Sequence, residues 1–61
     1  RLAMKIGELF VLPTGNKAEL LGATSEFAEF KYLDTRQGTV TVTHSNIFDW
    51  WERERITKVD E

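Results

Sequence analysis

Gly38-Thr39-Val40-Thr41-Val42-Thr43 runs without a break into His44-Ser45-Asn46-Ile47-Phe48-Asp49-Trp50-Trp51, and the reading of this stretch decides the fold. Strict alternation of valine and threonine is the period-two signature of a strand with one apolar face, so Val40 and Val42 point inward and the three threonines outward. Immediately after it, Ser45 or Asn46 is placed to cap a helical turn, and the Asn46 to Asp49 offset is that of a reciprocal capping pair, predicting a turn over residues 46–51. A strand that ends in an aromatic turn implies a small sheet or barrel closed by a lid.

Working outward, Asp34-Thr35-Arg36-Gln37-Gly38 reads as a hairpin loop, with Asp34 able to bond the turn backbone and Gly38 able to adopt positive φ. Before it, residues 26–34 place Ala28, Phe30 and Tyr32 on the inward face of a strand. Lys17 to Ala23 is made of good helix formers apart from Gly22, but it spans about two helical turns between two turn signals. It is therefore assigned to a strand, with Gly22 where a strand bulges or bends. Pro13-Thr14-Gly15-Asn16 has the chemistry of a β-turn. Residues 5–12 form a short apolar strand with Ile6, Phe10 and Leu12 on one face and Leu9 and Val11 on the other, which places it at a bend or an interface. Glu52-Arg53-Glu54-Arg55 continues the helix or forms a charged edge, and Ile56 and Val59 return the chain to the sheet as a short last strand. One domain over residues 1–61 is the only division that the chain supports.

At 61 residues without a cysteine, the chain has neither a disulfide nor a thiolate metal site to staple it, so burial must hold the fold or be shared with a partner. Eight basic and ten acidic residues give a net charge of −2, which is not the basic footprint of a duplex nucleic-acid binder. No apolar run approaches the ~20 residues that span a bilayer, and the expected compartment is the cytoplasm, with no membrane partner. Catalytic chemistry has little to work with: His44 beside Ser45 lacks a third orienting group, and His44, Asp49 and Glu52 have no metal-ligand spacing. No enzyme activity, cofactor, metal or small-molecule substrate is expected.

The rings of Phe27, Phe30, Tyr32, Phe48, Trp50 and Trp51 outnumber what one small core needs. Consecutive helical side chains diverge by about 100°, so Trp50 is expected beneath the lid and Trp51 outside it. The expected partner-binding surface is Trp51 with Phe27, Leu9, Arg53 and Arg55, which would take a protein partner or a second copy. A second reading gives Lys31, Tyr32, Arg36, Arg53 and Arg55 to single-stranded nucleic acid or a regulator of nucleic-acid machinery, with rings stacking on bases.

Taken together, Gly7, Pro13-Thr14-Gly15, Leu20-Leu21-Gly22, Phe30-Lys31-Tyr32-Leu33-Asp34, Gly38-Thr39-Val40-Thr41-Val42 and Trp50-Trp51 give an arrangement that resembles the Src-homology-3-like small barrels. The resemblance implies a mainly β fold: a five-stranded antiparallel barrel or bent sheet with one short helical turn near the C-terminus. The chain also looks like the compact barrels that bacteriophages and mobile elements encode, which implies binding or inhibition rather than chemistry. The acidic loop cluster and aromatic ladder of the peptide-binding members are not present here, so proline-rich peptide recognition is not implied.

Overall fold

The computed structural model describes residues 4–33 and 38–59. Their elements, in chain order, are β1 (Leu9–Val11), β2 (Lys17–Ala23), β3 (Phe27–Tyr32), β4 (Thr39–Thr43), α1 (His44–Glu52) and β5 (Thr57–Lys58). The fold is mainly β: five antiparallel strands form one unclosed sheet in the order β4-β3-β2-β1-β5, accompanied by the one short helix. Of the barrel and the bent sheet expected from the sequence, it is the open sheet that is seen, with β4 and β5 as its two edges.

Alternation along the strands sorts the side chains. Phe10, Ala18, Leu20, Ala28, Phe30 and Val42 are buried on one face, joined by Leu12, by Ile47 from the helix and by Ile56 before β5. The register sets Ala18 between Phe10 and Tyr32, and Leu20 opposite Phe30. Alanine at that crossing leaves room for the rings, and Phe10 meets Phe30 edge-on, with centroids 5.9 Å apart and planes at 82°. This is the arrangement that the aromatic quadrupole favours. In β2 the register shifts between Leu20 and Gly22, leaving Leu21 as the extra residue and Ala23 opposite Ala28. Bulging at Gly22 is where the sequence places it, and β2 is a strand despite its helix formers because Ala18 and Leu20 are buried at a spacing of two.

Turn chemistry closes the hairpins. Gly15 N–H donates to Leu12 carbonyl at 2.8 Å, and Leu12 N–H donates to Asn16 carbonyl at 2.9 Å. Gly15 itself has φ of 92°, which a side chain would strain, so Pro13-Thr14-Gly15 is a three-residue hairpin loop with glycine at the left-handed position. The expected loop over 34–38 lies outside the described residues, except for Gly38, whose φ of 105° is the positive value that the sequence predicts.

Three expectations are corrected. The first strand is three residues rather than residues 5–12, because Lys5 to Glu8 forms a turn: Glu8 N–H donates to Lys5 carbonyl at 3.1 Å, and Lys5 N–H donates to the Glu8 carboxylate at 2.7 Å. Ile6, placed with Phe10 by alternation, is consequently 73% exposed. The Lys5 N–H bond, aided by Lys58 Nζ at 3.4 Å, holds the Glu8 carboxyl below its ordinary range. Second, the helix begins at His44, and its cap is Thr43, not Ser45 or Asn46: the Thr43 hydroxyl accepts from Asn46 N–H at 3.2 Å. The last strand residue is thus also the cap, and no loop separates the two elements. Third, the charged run extends the helix by Glu52 alone, and residues 53–55 form neither helix nor edge strand. Arg55 N–H donates to Trp50 carbonyl at 2.7 Å and Glu54 N–H to Trp51 carbonyl at 3.1 Å, with Glu54 at φ 58°: a Schellman end in which glutamate occupies the position that usually belongs to glycine. That turn delivers buried Ile56 to the core and Thr57 to its place opposite Val11.

Two predictions follow from this packing. Phe30→Ala should cost about 3–5 kcal/mol, most of what a domain this size has, and abolish a cooperative urea transition, whereas Phe48→Ala at an exposed site should move the midpoint by less than ~0.5 kcal/mol. Glu54→Gly should raise stability by about 1 kcal/mol in the same assay by relieving left-handed strain, and a loss of stability would contradict the assigned helix end.

Candidate functional site

Helix α1 presents Ile47, Trp50 and Trp51 at positions i, i+3 and i+4, one face of a helix. Measured from Ile47, the two indoles lie at about −60° and +40° around the axis, so both flank the buried residue. Trp50 and Trp51 are accordingly both half-buried and packed against the core, and the expected contrast between an inner and an outer tryptophan is corrected. The exposed aromatic of the helix is Phe48, at 56%.

The five residues assigned to partner binding fall on two surfaces. Leu9 and Phe27 alternate with buried Phe10 and Ala28, which puts them on the outer face of the sheet, Leu9 half-buried and Phe27 41% exposed. Trp51, Arg53 and Arg55 sit at the C-terminal end of the helix, on the core side, where Trp51 lines a groove of about 390 Å³ with Glu54, Ile56 and Thr57. Arg53 is held by Asp49 at 3.1 Å in an exposed pair that contributes little to stability. The nucleic-acid set is divided as well. Lys31 stands opposite Glu19 and Thr39 on the outer face, Tyr32 packs against the core from the inner face, and Arg36 lies outside the described residues.

Two recesses lie near the β2–β3 turn, one on the inner side of the sheet and one on the outer. A pocket of about 210 Å³ is lined by Met4, Leu20, Ala23, His44, Ile47 and Phe48. A groove of about 410 Å³ lies beside it, lined by Gly22, Ala23, Thr24, Phe27, Ala28, Glu29 and Thr41. Ala23 borders both, so the bulge in β2 joins an apolar pocket under Phe48 to a groove under Phe27. The signal for this in the sequence was Phe48 itself, one position beyond Ile47 and off its i, i+3, i+4 stripe.

His44 holds this surface together. Its Nε2 lies 2.8 Å from the Thr24 carbonyl, and since a carbonyl only accepts, Nε2 carries the proton. Its backbone N–H donates to Glu26 carbonyl at 3.0 Å, while the Thr24 hydroxyl accepts from Phe27 N–H at 3.0 Å. One residue therefore ties the start of the helix to the turn that carries Phe27. The ring has a structural bond rather than a neighbouring nucleophile, and among the described residues no group of three His, Asp or Glu side chains could hold a metal. Among the same residues no helix is long and apolar enough to cross a membrane.

Comparison with known protein families, with curated proteins and with solved structures finds no match.

His44→Ala should lower stability by about 1 kcal/mol, the net value of a hydrogen bond, and should speed amide exchange in residues 24–27 well before that of β1. Uniform acceleration over the whole sheet would show that the tie is not local.

Proposed function

We propose that this protein is a non-enzymatic interaction module that binds another protein through the apolar surface around Phe27 and Phe48. The observation that carries the proposal is the pair of apolar recesses meeting at Ala23, each with an exposed phenylalanine beside it, in a chain that has no other staple for its fold. Aromatic anchors next to a pocket are the usual energetic centre of a protein interface, and the polar rim is supplied by Thr24, Ser25 and Glu26, all exposed. Trp51 with Arg53 and Arg55 forms a separate, second contact region in this reading.

The architecture accords with a Src-homology-3-like module opened into a bent sheet. The first strand pairs with both the second and the fifth, and a helical segment separates the fourth from the fifth. Weighing against the nucleic-acid alternative, Lys31 is placed among Glu19 and Glu29, and Tyr32 lies on the face opposite to Lys31. Among the described residues no basic stripe remains for a strand of phosphates to follow.

A photo-cross-linking phenylalanine analogue at position 48 or 27 should form an adduct with one protein, displaced by excess native chain. Phe27→Ser combined with Phe48→Ser should weaken capture by at least about tenfold, or ~1.4 kcal/mol, without changing the unfolding transition. Undiminished capture would overturn the assignment. Tryptophan fluorescence should stay flat on addition of an oligonucleotide, and a salt-sensitive quench would transfer the function to nucleic acid.

A further inference from the structure

One edge of the sheet is β4, whose five residues are Thr39-Val40-Thr41-Val42-Thr43. Edge strands are normally guarded by a charge, a proline, a bulge or short length. This one has none of these, although 30% of the chain is charged. Its pairing with β3 is regular over five positions, from Phe27 opposite Thr43 to Lys31 opposite Thr39.

The hydrogen-bond phase of that pairing determines what the edge offers. Tyr32 N–H donates to Gly38 carbonyl at 3.1 Å, and His44 N–H donates to Glu26 carbonyl at 3.0 Å. In an antiparallel ladder, bonded and non-bonded pairs alternate, so the even positions 40 and 42 bond to β3. Thr39 and Thr41 then direct their N–H and C=O groups away from β3, to the outer edge, as Thr43 does its N–H, while the Thr43 carbonyl opens the helix. Among the described residues no strand lies there.

The sequence of the edge reads the same in both directions. A second copy laid antiparallel about a two-fold axis through Thr41 sets Thr41 against Thr41, Val40 against Val42 and Thr39 against Thr43. Every facing pair is threonine with threonine or valine with valine, the β-branched pairs that stabilise cross-strand contact. Outer threonines stay on the outer face, and the valines extend the inner one. The phase fits as well: the outward groups of the two Thr41 residues are those that exchange both bonds in a hydrogen-bonded pair, and each Thr43 N–H meets the Thr39 carbonyl of the other copy. A two-fold pairing of this kind is isologous and closes on itself.

The geometry points to a homodimer formed by β4-to-β4 strand addition, joining two five-stranded sheets into one continuous sheet. This deepens the interaction reading by naming a second copy as one partner, but it uses the sheet edge and not the Phe27 and Phe48 anchors. Thr41 also lines the groove beside Phe27, so the substitutions at Phe27 and Phe48, which leave β4 unchanged, are what separate the failure of one reading from the failure of the other.

Sedimentation and amide exchange on the native chain over a range of concentrations test it. The weight-average mass should rise toward twice the monomer, and the Thr41 amide, solvent-facing in the monomer, should gain at least about tenfold protection in step with it. Thr41→Glu puts two carboxylates opposite each other beside Glu29 of each copy and should leave only monomer. Thr41→Lys, whose charge is paired with its own Glu29 and so keeps the fold, should also be monomeric, and mixing the two variants should restore dimer. Phe27→Ser with Phe48→Ser should dimerise as the native chain does. A monomer at every concentration, a dimer indifferent to both Thr41 variants, or Thr41 protection independent of concentration would overturn the proposal.

Discussion

The edge-to-face contact of Phe10 with Phe30 is the interaction on which the rest of this structure depends. Nine of the described residues make up the buried core, none of them polar, and in a chain without cysteine no disulfide supplements them. In so small an interior, two aromatic side chains supply a large share of the area removed from water. Their contact requires Ala18 between the strands that carry them, and it requires the register that puts Leu20 opposite Phe30. A slip of one residue would exchange Ala18 and Leu20 for Lys17, Glu19 and Leu21 on the inner face, so the ring pair and the strand register select each other.

From that centre the chain must cover one face of the sheet, and it does so with a helix whose two ends are both built from residues with a second role. Thr43 ends β4 and caps α1, which lets Ile47 reach the core within one turn of the sheet. At the other end the Schellman turn at Glu54 reverses the chain so that Ile56 is buried immediately after it. The left-handed glutamate is a local cost that the burial of Ile56 and the return to β1 offset. The same economy of length leaves Phe48 without a place inside, because a nine-residue helix has one core-facing stripe and Ile47, Trp50 and Trp51 occupy it.

The strands were legible in the sequence wherever period two and turn chemistry coincide: the valine and threonine alternation of β4, Gly22 at the bulge and Pro13-Thr14-Gly15 at the first hairpin. Lys17 to Ala23 was legible only against its own propensity, since Ala, Glu, Lys and Leu favour a helix and the segment is too short to form one between two turns. The helix cap was read two or three residues late, at Ser45 or Asn46, because the hydroxyl of a strand threonine looks like sheet patterning, not like a cap. The tryptophans were misread for a geometric reason. Adjacent side chains do diverge by about 100°, but the burial axis is set by Ile47, which bisects them. The tie between the start of the helix and the β2–β3 turn is made by His44 reaching the Thr24 carbonyl across 20 positions, and no local pattern reports such a contact.

Openness of the sheet and smallness of the core have one cause. Closing this sheet would require β4 to pair with β5, yet among the described residues after the helix only Thr57 and Lys58 form a strand, and they are committed to Phe10 and Val11 on β1. The helix therefore does what a closing pair of strands would do, covering the inner face from above, and of the outward backbone groups of β4 it takes up the Thr43 carbonyl at its cap. Burial of side chains and satisfaction of backbone groups are thus solved on different elements here. The buried side chains pack within one chain, while the outward backbone groups of Thr39 and Thr41 and the Thr43 N–H are left to water or to another strand. An edge left to water is ordinarily marked by lysine or proline, and β4 carries neither, though the strand beside it carries Glu29 and Lys31.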